Sequence, residues 1–406
     1  MTAARAVRIA AAAACLALVA FVVALVAPAH RSGGTGVAAP DAAATSGDPA
    51  SAPDPAESFD ARGAPDALSV EAAANAAIAE DAQTEARRRN RLVDAPRELI
   101  AFAVSCGDLR AVAPEQRSEE YEIFGAANAC AAGWAPDGRL ALVGPLGRPP
   151  GSVSSLWLLA RNGGTEVIDV PDRSVNGRPA FWDDRAIDIC TVSRRAPLRP
   201  MIYRREYGHA AEPLAPGCFP SVALDGRLAY AAPADASGGA DADLQALRVV
   251  RVVDRDGAVL ATYPVDAPIQ DVRFTGDGSR VVVVTSSGSD MTVTSFGGAK
   301  PRVLQRMRRG ALSIYASPVQ ADIGIVRTLR NGSTQVVLMD ARSGGTAWSR
   351  GTQGVTRLAF SPDGQSILVA DDRSWVAVSR NDGLVRLELP RLGGEPAWCC
   401  PTAAAS

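Results

Sequence analysis

Lysine is almost absent from this chain. Lys300 is the only one, and arginine supplies the rest of the 42 basic residues. A Schiff-base lysine or a phosphate-loop lysine is therefore not expected. Histidine is nearly as scarce, with His30 and His209 alone. A two-histidine metal site or a Ser-His-Asp relay would have to run on His209, which reads instead as a surface-loop residue. There is no basic surplus: the formal net charge is -2. A protein that neutralises phosphates needs one, so nucleic acid is set aside as a partner. No Gly-x-Ser-x-Gly elbow and no Cys/His metal spacing occurs, so neither a serine hydrolase nor a metal site is read here. Gly297-Gly298 and Gly344-Gly345 precede no helix pattern and read as turns. No cofactor is expected on these grounds.

What is present is apolar surface. The chain has 406 residues, 47% hydrophobic and 21% charged, enough for a large packed core. Arg5 and Arg8 precede an uncharged run over residues 9–29. As a helix that run spans roughly 30 Å, the thickness of a bilayer's hydrocarbon core. The preceding positive charge keeps the N-terminus inside and sends the remainder out. Residues 1–30 are thus a signal-anchor, or a signal peptide cut near Ala27-Pro28-Ala29. Either reading puts the bulk outside the cytoplasm, membrane-anchored or secreted. Cys15 lies within the run and reads as a membrane-helix residue. Residues 31–65, rich in Ala, Gly, Pro and Ser, read as a disordered linker. Residues 66–97 are Ala-rich, with acids early and Arg87-Arg88-Arg89 late, the charge order of a helical stalk.

From Glu98 the texture changes to short β-rich runs between Gly, Asp and Pro turns. One unit recurs: an apolar strand, an Asp-Gly turn, a second apolar strand. It reads Trp134-Ala-Pro-Asp-Gly138, then Val222-Ala-Leu-Asp-Gly226, Phe274-Thr-Gly-Asp-Gly278 and Phe360-Ser-Pro-Asp-Gly364. Degenerate copies lie at Trp182-Asp-Asp184 and at Tyr315 to Pro318. Asp-Gly supplies the positive φ of a tight hairpin. The spacing of about 40–50 residues is that of a four-stranded propeller blade. Six full units begin near Cys130, Arg178, Phe219, Gln270, Ala311 and Val355. An opening strand at Pro396 to Cys400 and later strands at Glu98 to Phe124 are left over. Joined, they make one composite blade that closes the ring. The fold read here is all-β: a propeller over residues 98–402, seven-bladed, with six and eight blades left open.

The Phe-Ser-Pro-Asp-Gly unit resembles the repeat of TolB-type, WD-repeat-like propellers of bacterial envelopes. That resemblance implies a binding scaffold, often for envelope proteins. Asp340-Ala-Arg-Ser-Gly-Gly with Trp348 also resembles one repeat of the quinoprotein propellers.

Six cysteines lie beyond the membrane segment: Cys106, Cys130, Cys190, Cys218, Cys399 and Cys400. An even number in an exported domain suggests disulfides. On the blade map Cys106 ends a second strand and Cys130 precedes the next first strand. Cys190 and Cys218 hold the same two places one blade later. The expected bonds are Cys106–Cys130 and Cys190–Cys218, each worth about 3–3.5 kcal/mol of loop-closure entropy. Cys399 and Cys400 remain as a vicinal disulfide, a redox pair or thiols.

Carboxylates also cluster. Asp183-Asp184 and Asp371-Asp372 read as turn residues, because neighbours in a strand point to opposite faces. Asp235, Asp241 and Asp243 lie in an insertion between second and third strands, a mobile acidic loop or a site for a hard cation. The equivalent loop of the preceding blade carries Arg194, Arg195 and Arg199, and the one before that Arg148. Long loops at one end of a rigid scaffold are where binding resides. The expectation is a loop face with adjoining basic and acidic patches, on a non-enzymatic and monomeric propeller that holds an envelope protein or a glycan. The alternative is a propeller enzyme of quinoprotein or lactonase type, with a cofactor or metal in the central channel. A sensor is a third reading; with eight residues before the membrane helix, a partner would carry its signal.

Overall fold

A strand buried on both faces needs a sheet on either side, and the hydrophobic clusters show how this chain supplies them. The computed structural model describes residues 98–104, 108–123, 131–144, 155–162, 164–168, 170, 172–183, 186–193, 199–234, 243–308, 310–389 and 394–400. The expected anchor, linker and stalk lie outside these residues, as do Cys106 and Cys130. Among the described residues no helix is long and apolar enough to cross a membrane.

Seven antiparallel sheets form, each running from an inner to an outer strand. Blade 1 is Ala131–Trp134, Leu140–Gly144, Ser155–Leu159 and Thr165–Ile168. Blade 3 is Cys218–Val222, Leu228–Pro233, Leu247–Val253 and Val259–Pro264. Blade 4 is Ile269–Phe274, Val281–Ser287, Asp290–Phe296 and Arg302–Arg308. Blade 5 is Ala311–Ala316, Asp322–Thr328, Ser333–Asp340 and Thr346–Gln353. Blade 6 is Arg357–Phe360, Ser366–Ala370, Trp375–Ser379 and Val385–Leu389. Blade 2 departs from the pattern. Its inner strand comes in two pieces, Arg173–Val175 and Ala180–Phe181, both paired to Ala186–Ser193, with Pro200–Glu206 and Glu212–Pro216 outside. Gly177, at a positive φ of 79°, and Pro179 flank Arg178 in the break.

The closing blade forms as the leftover pieces require. Ala397–Trp398 is its inner strand and pairs with Ile100–Val104, followed by Asp108–Ala113 and Gln116–Ile123. Ile100 faces Trp398 in the ladder, and the Cys399 N–H donates to the Leu99 carbonyl at 2.7 Å.

Seven hydrophobic clusters alternate with the seven sheets, one between each pair of neighbours. In blade 4, Val281 and Val283 pack towards blade 3, while Val282 and Val284 pack towards blade 5. In the closing blade, Ile100 and Phe102 face blade 6, and Leu99 and Ala101 face blade 1. Period-two side chains with both faces buried are what radial stacking demands. Seven interfaces for seven sheets make a closed ring.

The Asp-Gly turns work as their chemistry predicts. Gly138, Gly226, Gly278 and Gly364 all hold positive φ. In blade 6, Ser361 Oγ donates to Asp363 at 2.6 Å, and the Gln365 N–H donates to the same oxygen at 3.0 Å. In blade 4, burial opposes ionisation of Asp277. The hydroxyls of Thr275 and Ser279, the Ser279 N–H and the Arg342 guanidinium outweigh it, and the carboxyl sits below its usual range. Asp183 and Asp371 also cap turns, accepting backbone N–H groups of Ala186 and of Arg373 and Ser374. Gly276 is required for a different reason. A Cβ there would strike the backbone of Pro318 and Val319 in the next blade, and its N–H donates to the Gln320 carbonyl at 2.9 Å.

Cys190 and Cys218 are disulfide-bonded, joining the second strand of blade 2 to the inner strand of blade 3. Their sequence separation is 28 residues, for which loop closure is worth about 3.5 kcal/mol. Changing both to serine should lower the melting midpoint by about 5 °C for a domain of this size. Calorimetry of the double variant against the wild type reads this; an unchanged midpoint would remove the bond from the stability account. Cys399 and Cys400 are bonded to each other. Cys399 is buried in the cluster between the closing blade and blade 1, with the Arg161 guanidinium 3.8 Å from its sulfur.

Candidate functional site: the axial chamber

Ladder register fixes which residues stand at one height around the ring. Trp134, Phe181, Val222, Phe274, Ala316, Phe360 and Trp398 each face the first or second residue of their own second strand. All seven line one cavity on the axis, of about 330 Å³. Every blade thus gives it one wall residue at the same level, five of them aromatic. The cavity reaches the Asp-Gly turns through Pro136, Leu224, Gly276, Pro318 and Pro362.

Three positions before these wall residues, four of the seven blades carry a charge. Arg178 of blade 2, Asp271 of blade 4, Arg357 of blade 6 and Glu395 of the closing blade hold that position. Here the ladders of adjacent blades are irregular. Blade 2 has its break. Blade 3 shifts register between Cys218 and Ser221, with Phe219 at a φ of 57°. Blade 4 shifts between Ile269 and Asp271. Such bulges re-aim side chains, and they cluster at functional sites.

Arg178 uses that freedom to reach over the axis. It forms an ion pair with Glu395, and its guanidinium lies 5.0 Å from the ring centre of Tyr315 in blade 5. Burial, then the neighbouring Arg273, push its pKa down, against the pull of Tyr315 and Asp271. Its side chain is still 32% exposed, and the cavity it lines accounts for the open part. Arg273 also lines the cavity and is held by Asp271, with contacts at 3.2 and 3.3 Å to its two oxygens. Arg357 donates to the Thr356 carbonyl at 3.2 Å and has no ion pair among the described residues. The chamber wall is amphipathic, with the guanidiniums of Arg178 and Arg273 among aromatic and apolar side chains.

The residues singled out from the sequence lie elsewhere. The segments holding Arg148, Arg194, Arg195 and Arg199, and Asp235, Asp241 and Asp243, do connect second to third strands, as read. Arg148, Arg194, Arg195, Asp235 and Asp241 lie outside the described residues. Arg199 is exposed, and its carbonyl accepts from Arg173. Asp243 caps the 3-10 turn Leu244–Ala246, accepting the Gln245 and Ala246 N–H groups at 2.9 and 3.1 Å. That gives its carboxylate a structural task. Among the described residues no group of three His, Cys, Asp or Glu side chains is placed to hold a metal. Sequence reading took Arg178 only as the start of a blade and passed over Arg273. The available signal was a lone arginine between Gly177 and Pro179 where an inner strand should run unbroken.

No family model matches the chain, and no curated protein matches it. Solved structures do align. TolB from Acinetobacter baumannii is 16% identical, covering 74% of this chain and 66% of its own, at a TM-score of 0.45. A putative 6-phosphogluconolactonase from Bacteroides fragilis is 12% identical, covering 75% and 98%, at 0.49. The dihydro-heme d1 dehydrogenase NirN is 16% identical, covering 73% and 64%, at 0.45. This chain therefore spans about two thirds of the TolB chain's length. These likenesses concern the fold alone, and what those proteins bind or convert stays with them. The described residues form a seven-bladed β-propeller.

Proposed function

We propose that the chain is a non-enzymatic binding propeller that works outside the cytoplasm and receives part of an envelope protein or glycan in its axial chamber. The observation that carries this reading is the chamber itself. A cavity of about 330 Å³ falls within the size range of ligand sites, which combine apolar walls with a few placed polar groups. The Cys190–Cys218 bond supports an oxidising compartment, and a membrane tether through residues 9–29 belongs to the same reading. The enzyme reading would place a metal or cofactor on the same axis. Two guanidiniums there repel a bare cation, which favours binding over metal chemistry.

The test fills the chamber. Gly133 lines it, and a Cβ added there meets nothing within 4 Å, so the side chain of Gly133→Leu starts in open space. In intact cells, crosslinks to the bound partner should fall at least about tenfold, the loss of roughly 1.4 kcal/mol of binding free energy, with the circular dichroism spectrum unchanged. Wild-type crosslinking from the filled variant would overturn the reading.

A further inference from the structure

We propose that the axial chamber is a site for an organic carboxylate carried on an apolar or aromatic body. The carboxylate lies between Arg178 and Arg273, and the body lies among Trp134, Phe274 and Phe360. This rests on the binding reading above and adds the chemistry of what is bound.

The charge balance comes first. Two guanidiniums, Arg178 and Arg273, line the chamber, and among the described residues no carboxylate does. Each is paired with one acid outside the lining, Arg178 with Glu395 and Arg273 with Asp271. The wall that a ligand meets is cationic, but its charge is already partly balanced. A monoanion therefore suits it better than a phosphate dianion.

Geometry agrees. Guanidinium forks bind carboxylates with paired, charge-assisted hydrogen bonds. Glu395 already places one carboxylate oxygen against Arg178 within the molecule. It is an internal carboxylate resting on Arg178, and an arriving one competes with it for the same donors. The rest of the wall is largely apolar, with the rings of Trp134, Phe274 and Phe360 at one height. Guanidiniums and rings share one cavity, so a carboxylate on a short chain ending in a ring meets both. An aromatic or apolar C-terminal residue of a peptide has this form, and so has a free aromatic acid.

The experiment is isothermal calorimetry of the full chain with 4-phenylbutyrate, its neutral isostere 4-phenylbutanol, and inorganic phosphate. Phenylbutyrate should bind, and the alcohol at least about tenfold more weakly, since it forgoes the charge-assisted bonds. Arg273→Gln should weaken phenylbutyrate by about tenfold for the same reason. Glu395→Gln should tighten it several-fold by removing the competitor, a gain that a purely structural Glu395 would not give. Phosphate binding as tightly as phenylbutyrate, equal binding of the alcohol, or indifference to both substitutions would overturn the assignment. Loss of partner crosslinks in Gly133→Leu without phenylbutyrate binding would leave the binding reading standing and remove the carboxylate. A peptide ending in phenylalanine, compared with its C-terminal amide, separates a protein terminus from a free acid as the source.

Discussion

Trp398→Ala should open the ring. Among the described residues, Trp398 belongs to the one strand that the C-terminal end contributes to the closing blade, a strand of two residues. Its ring is buried against blade 6, beside Ile100, Phe102, Leu368 and Trp375. Its indole N–H donates to Glu98 at 2.8 Å, tying the closing strand to the start of the propeller. Truncating a buried tryptophan costs about 3–5 kcal/mol, because the cavity left behind relaxes only in part. For a domain of about 300 residues that lowers the melting midpoint by about 5–8 °C. Hydrogen exchange should rise first in Ile100–Val104, the strand that loses its partner. A midpoint within a degree of wild type would mean that closure does not depend on this strand.

Asp188→Ala should cost as much, by a different route. Asp188 is fully buried in the second strand of blade 2. Its carboxylate accepts the Trp182 indole N–H at 2.7 Å and both arms of Arg204 at 2.9 and 3.0 Å. Burial pushes its carboxyl pKa up, while Arg204 and Trp182 pull the other way. Arg204 also stacks 4.4 Å from the Trp182 ring and donates to the Arg255 carbonyl in blade 3 at 2.6 Å. The network therefore joins two blades. Removing the carboxylate strands a guanidinium in the core, and breaking one side of a buried pair costs about 3–5 kcal/mol. Asp188→Leu combined with Arg204→Met should recover most of that loss, since no charge is then left buried. Urea unfolding of the single and the double variants reads both. A double variant as unstable as Asp188→Ala would show that the pair contributes something packing cannot replace.

The blades were legible because their signals are local. Asp-Gly fixes a hairpin wherever it stands, and alternating apolar residues declare a strand buried on both faces. Even the closing blade could be read, because Pro396 to Cys400 and Glu98 to Phe124 are each half of a unit that needs the other. Cys190–Cys218 followed from knowing which residues share a place in successive blades. The chamber was not legible in this way. Arg178, Arg273, Tyr315 and Glu395 come from four blades and meet only once the ring has closed. Nothing in their own neighbourhoods marks them as partners. Blade 2 misled for a related reason: Val175 and Ala180 flank a break, so its inner strand begins earlier than its Trp182-Asp-Asp184 turn implied.

The closing pair has a mechanical consequence. Ile100 sits opposite Trp398, and Leu99 is bonded to Cys399, so the first and last residues of the closing pair lie side by side at one end of the ladder. A pull that separates them peels the strands apart one hydrogen bond at a time, starting at Leu99–Cys399. Tension between those residues would unfasten the propeller like a zip, at a far lower force than sliding whole blades past one another.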